Sequence, residues 1–138
     1  MKKFILCLML VSLIIPFPTN MLAVEKKDRI DVIYFHATMR CQGCLTIEEY
    51  TTNSVKGLFD KQLKDGTITL SSIDFLQEEN AHYQEDYKFE SQTLILSKKV
   101  DGKEVKWKNL DKIWDYSSDF QKFQDYIKLE INKFLKES

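Results

Sequence analysis

The chain has 138 residues, 30% of them charged, and its 20 Lys and Arg nearly balance its 21 Asp and Glu, for a formal charge of −1. Acidic and basic residues are interleaved along it, which excludes the basic stripe that nucleic-acid binding requires. The length holds one ordinary domain and a targeting segment.

The N-terminus reads Met1-Lys2-Lys3, then apolar residues 4–11, Ser12 and apolar residues 13–15. A charged start followed by a short apolar core is the pattern of a secretory signal. Pro16, Pro18 and Asn20 end the run before the about 20 apolar residues that a membrane-spanning helix needs. The expectation is a signal peptide over residues 1–23, with Ala23 as the cleavage residue although Met21 is a poor small-residue match. An uncleaved N-terminal anchor is the alternative. Either way the chain is expected in the periplasm or another extracytoplasmic space, with no membrane contact beyond this segment. Cleavage would remove Cys7, both prolines, and Lys2 and Lys3, taking the charge to −3. Residues 24–29 read as a flexible lead-in.

Ile30, Val32, Ile33 and Phe35 form a near-continuous apolar run, as in a strand buried on both faces. Ile47, Tyr50, Val55, Leu58, Phe59 and Leu63 then recur at helical spacing, predicting a helix over 44–63. Weak helix formers at 51–54 and Gly57 predict a bend within it, and Asp65-Gly66 a left-handed stop. Residues 67–74 alternate as a second strand, 79–87 read as a short helix, and 93–96 as a buried third strand. Val100-Asp101-Gly102-Lys103 is a hairpin turn leading to a strand over 104–108. Leu110, Ile113 and Trp114 bridge to a last helix with Phe120, Phe123, Tyr126, Ile127, Ile131, Phe134 and Leu135 on one stripe.

Between the first strand and the first helix lies Phe35-His36-Ala37-Thr38-Met39-Arg40-Cys41-Gln42-Gly43-Cys44. A Cys-x-x-Cys there is the mark of a thioredoxin-like dithiol site. The free N–H groups and positive end of a helix favour thiolate, and in such places a cysteine pKa falls from about 8.5 to roughly 3.5–7.5. Arg40 adds a fixed positive charge that could tune Cys41, unless it is merely a solvated turn residue. Cys41 is expected to attack and Cys44 to resolve. Closing so short a loop removes little chain entropy, which favours this redox role over an inert bridge. Thiolate binding of a soft metal or metalloid stays open. Zinc would need four ligands, with His36 and His82 both converging on the cysteines. His36 is a candidate proton carrier for the departing thiol or a histidine satisfied by loop backbone, and His82 reads as solvent-facing. Trp107 and Trp114 read as core caps, with a docking surface as the alternative. The element order predicts an α/β, thioredoxin-like three-layer sandwich over 30–136, its mixed four-stranded sheet covered by helices on both faces.

Several stretches also resemble one family: Ile33-Tyr34-Phe35-His36 leading to Arg40-Cys41-x-x-Cys44-x-x-Ile47-Glu48, Glu79-Asn80-x-His82 with Tyr87, and Asp101-Gly102-Lys103-Glu104-Val105-x-Trp107-Lys108-Asn109-Leu110-x-x-Ile113-Trp114. These resemble the small thioredoxin-like proteins known as the nitrophenyl-compound nitroreductase subunit, ArsF type. The Trp-Lys-Asn-Leu segment is the most discriminating. The resemblance implies an electron-relay subunit, linked to arsenic resistance, for a flavin-type nitroreductase acting on nitroaromatic compounds, including nitrated phenylarsenicals. It also gives weight to As(III) as a ligand of Cys41 and Cys44. No Gly-rich dinucleotide fingerprint is present, so no cofactor is expected on this chain and a flavin would sit on the protein partner. Compared with ordinary thioredoxins, Gln42-Gly43 replaces Gly-Pro between the cysteines, and Tyr34 takes the place of a buried acid. Ser91-Gln92-Thr93 replaces the loop before a cis-proline. A cis bond here would cost about 2.5–4 kcal/mol, so a trans loop is expected, with Gln92 facing the disulfide.

Overall fold

The computed structural model describes residues 28–137. The expected signal segment over residues 1–23, Cys7 within it, and most of the expected lead-in lie outside the described residues. β1 (Arg29–His36) pairs parallel with β2 (Ile68–Asp74) and antiparallel with β3 (Thr93–Val100), which carries β4 (Lys103–Asn109) antiparallel on its far side. The strand order is β2-β1-β3-β4. Arg29, counted with the lead-in from sequence, is the first residue of β1 and pairs with Lys99.

The two-faced character of β1 divides the interior. Ile30, Val32 and Tyr34 point into a core completed by Ile47 and Val55 of α1 (Gln42–Leu58) and by Phe123, Ile127, Ile131 and Phe134 of α4 (Phe120–Lys136). Ile33 and Phe35 point to the opposite face, where Phe75, Tyr87, Phe89 and Ile95 form an aromatic cluster. Helices therefore cover both faces of a mixed four-stranded sheet, as expected for the α/β class.

The helix predicted over 44–63 is two helices, α1 and α2 (Asp60–Asp65), separated at Phe59. Phe59 leaves helical geometry at φ −129° while its ring is buried in the core. α1 runs unbroken through Thr51 and Ser54, both of which are buried. Gly66 supplies the left-handed stop at φ 78°. The helix predicted over 79–87 is a 3-10 turn, Glu78–Asn80, followed by α3 (His82–Asp86). The Asn80 amide donates to the Asp74 carbonyl at 3.0 Å, fixing the turn against the end of β2. β3 runs to Val100, farther than its apolar residues suggested, because Ser97, Lys98 and Lys99 continue the ladder with β4. Asp101 and Gly102 take φ of 50° and 77°, the left-handed pair that a tight hairpin requires.

Asp31, buried in β1, accepts hydrogen bonds from Thr69 Oγ1 and Lys99 Nζ, each at 2.7 Å, and from Arg29 Nε at 2.8 Å. Burial alone would raise its carboxyl; these three donors and the Lys99 charge outweigh it and hold the group below the usual carboxylate range. Its stabilising contribution is thus complete above the unfolded pKa of about 3.9 and is lost as pH falls through the lower folded value. Asp31→Asn is expected to destabilise the domain by about 1–3 kcal/mol at pH 7. Urea titrations should show the gap to wild type narrowing below pH 4, and a pH-independent gap would contradict the assignment.

Candidate dithiol site

β1 ends at His36, and residues 37–40 carry the chain over the sheet edge to Cys41, the residue that caps α1. Thr38 Oγ1 donates to Asp74 Oδ2 at 2.7 Å, bracing this turn against the end of β2. That bond is the main cause holding the Asp74 carboxyl below its ordinary range, helped by Gln77 and the Leu76 amide. Cys41 and Cys44 are joined by a disulfide. Cys41 Sγ accepts the Cys44 amide at 3.1 Å, so the sulfur takes the place that an oxygen fills at an ordinary helix start. Cys41 is exposed, as are Gln42 and Gly43, whereas Cys44 is 2% exposed. Of the two cysteines, only Cys41 is open to solvent.

Beneath the turn, Tyr34 hydroxyl donates to the Cys44 carbonyl at 2.9 Å. Burial first, then the neighbouring Glu48 carboxylate, pushes this phenol up to about 12 against the opposing pull of Arg40. Tyr34 is therefore a neutral donor at any physiological pH. Arg40, expected to act on Cys41, is ion-paired with Glu48 of α1, whose other oxygen accepts the Ser72 hydroxyl of β2. Its charge reaches the sulfurs already compensated.

His36 is buried at the end of β1, with Nδ1 donating to the Ala37 carbonyl at 3.0 Å. Among the described residues no hydrogen bond links it to either cysteine. His82 lies on α3, its ring tilted against that of Tyr83 and its Nε2 3.9 Å from Asp86. No group of three or more His, Cys, Asp or Glu that could hold a metal ion is present among the described residues. Gln92, in the loop just before β3, contributes its backbone: its carbonyl accepts Trp114 Nε1 at 3.2 Å. No peptide bond among the described residues is cis.

Trp114 joins the site more closely than its reading as a core cap implied. A methyl group placed on Gly43 would lie 3.9 Å from both Cys41 Sγ and the Trp114 ring. The indole is 37% exposed, held by the buried Leu110 and Ile113 of the preceding turn. Trp107 instead packs edge-on against Tyr87, at the other face of the sheet. Glu48 also went unread, although its place four residues after Cys44 puts it on the same face of the helix.

A parallel pair at the sheet's first two strands, an antiparallel hairpin on the far side and a dithiol turn capping the first helix define a thioredoxin-like fold. No family model matches the chain, and no curated protein does. Among solved structures it is similar to a thioredoxin from Fasciola hepatica, at 22% identity and TM-score 0.41, over 75% of this chain and 83% of that one. It is also similar to a structure described as a malarial protein, at 20% identity and TM-score 0.38, over 59% of this chain and 80% of that one. The fold rests on the strand order and pairing above.

Tyr34→Phe removes the donor to Cys44 and should lower stability by about 1–2 kcal/mol at neutral pH. Because the phenol is raised when folded, wild type should lose stability as pH climbs from about 10 to 12, and the variant should lose less. Equal losses in alkaline denaturation curves would contradict this. A disulfide quenches a neighbouring indole, so reduction should increase tryptophan emission. Trp114→Phe should abolish that increase and Trp107→Phe should retain it.

Proposed function

We propose that the chain is a dithiol–disulfide redox protein that relays electron pairs to or from a protein partner. The observation that carries this reading is a disulfide between the exposed Cys41 and the buried Cys44 at the N-terminus of α1. In the oxidised form, a partner thiolate attacks Cys41 Sγ, forming a mixed disulfide and releasing Cys44 as thiolate, which takes up a proton. A second partner thiol loses its proton and attacks the partner's own sulfur in the mixed bond, releasing Cys41 as thiolate. Two electrons have then moved to this chain, and the partner holds a disulfide. In the reverse direction Cys41 thiolate attacks a partner disulfide and Cys44 resolves it. The helix terminus and the Cys44 amide stabilise the charge on Cys41 in either direction.

The segment from Asp101 to Trp114 supports a narrower reading by resemblance: an electron-relay subunit for a flavin nitroreductase acting on nitrophenyl compounds, with the flavin on the partner. The N-terminal pattern supports export to an extracytoplasmic space. Capture of a soft metal or As(III) by the two thiolates is the alternative, and it requires the pair to stay reduced.

The deciding measurement is the reduction potential in graded glutathione or dithiothreitol buffers. A value within roughly −120 to −270 mV is expected; one below about −300 mV would mark a permanent bridge and overturn the redox reading. Cys44→Ser should leave partners trapped on Cys41, and Cys41→Ser should trap none. Added to a flavin nitroreductase and a nitrophenyl compound, the wild-type chain should raise the rate of nitro reduction and Cys41→Ser should not. Equal rates would overturn the nitroreductase assignment.

A further inference from the structure

One carboxylate stands behind the dithiol turn and engages two elements at once. Glu48 lies one helical turn beyond Cys44; Arg40 binds one of its oxygens and the Ser72 hydroxyl the other. Both charged side chains are largely shielded, 25% and 22% exposed. Tyr34, bonded to the Cys44 carbonyl, lies close enough to feel both charges. A crevice of about 390 Å³ between α1 and β2, lined by Tyr34, Glu48, Thr51, Lys56, Leu70 and Ser72, lets water reach the carboxylate. The charged and titratable groups facing it are Arg40 from the turn, Tyr34 from β1 and Lys56 from α1. β2 contributes the neutral Ser71 and Ser72, and α2 the apolar Leu63.

We propose that Glu48 is a positioning residue that compensates Arg40 and thereby keeps the proton affinity of Cys41 above the level the helix terminus and an unpaired arginine would set. This rests on the redox reading and concerns the poise of the same site. A helix start already favours thiolate. A free guanidinium one residue before Cys41 would favour it further, stabilising the reduced chain and making the disulfide more oxidising. With Glu48 ionised, the pair presents a dipole whose field falls off faster than that of a single charge.

The expected signs follow from charge alone. Glu48→Gln leaves Arg40 unpaired and lowers the Cys41 pKa. Arg40→Gln leaves the carboxylate unpaired and raises it, and the double variant returns near wild type. Each single change should alter the acid dissociation constant of Cys41 by roughly three- to tenfold.

The test is the pH dependence of iodoacetamide alkylation of Cys41 in the reduced full chain, with circular dichroism as a fold check. Glu48→Asp should restore much of the wild-type profile, which a purely structural defect would not allow. An unchanged profile in folded Glu48→Gln, or shifts of the same sign in both single variants, overturns the proposal. Should Glu48→Gln fail to fold, Arg40→Gln decides: a profile that does not move up overturns it. Ser72→Ala, which removes only a neutral partner, should leave the profile in place. The assay uses reduced protein without a partner. A bridge too stable to cycle would therefore overturn the redox reading while this result stood.

Discussion

The hydrogen bond from Tyr34 hydroxyl to the Cys44 carbonyl ties the central strand to the first turn of α1. β1 is buried on both faces, so its position is set by packing from α1 and α4 on one side and by the aromatic cluster on the other. A side chain projecting from that strand is among the least movable points in the molecule. By holding a backbone carbonyl of α1, it lends this rigidity to a turn that is otherwise exposed. Thr38 on Asp74 and Arg40 on Glu48 secure the same turn from β2 and from α1. A disulfide that must open and close without disturbing its surroundings benefits from a frame anchored at several points.

The site is asymmetric in burial and balanced in charge. Burial separates the two cysteines: Cys41 is exposed at the surface of the turn, and Cys44 is enclosed beneath it. Charge is handled by pairing, Arg40 of the turn with Glu48 of α1. The neutral phenol of Tyr34 stands beneath the turn. The interior beneath Cys44 is therefore uncharged at Tyr34, and Glu48, a carboxylate on the same helix as Cys44, is paired with Arg40.

Much of this was legible in the sequence because it depends on short-range pattern. The unbroken apolar run of β1, the helical spacing of Phe123, Ile127, Ile131 and Phe134, the Asp101-Gly102 turn and the two-residue gap between the cysteines each specify their geometry locally. The break at Phe59 was misplaced because propensity pointed to Thr51 and Ser54, whereas burial of the Phe59 ring decided it. The partners of the site were illegible for a related reason. Trp114 reaches Gln92 across 22 positions, and Tyr34 reaches Cys44 across 10, contacts set by how the sheet and helices stack. Glu48 was the exception, one helical turn from Cys44 and so within the reach of sequence reasoning. Arg40 drew attention as a lone charge, and its pairing appeared only once α1 was placed beside the turn.

The unequal exposure of the two sulfurs also governs how the reduced site meets peroxide. An oxidant arriving from solvent finds Cys41 first, and a sulfenic acid formed there sits next to a second thiol on the same helical turn. Condensation with Cys44, expelling water, restores the disulfide, whereas further oxidation to the sulfinic acid needs a second oxidant molecule. The buried cysteine thus doubles as a built-in repair group for its exposed neighbour. Chemical damage at this turn is diverted into the same covalent state that ordinary turnover produces.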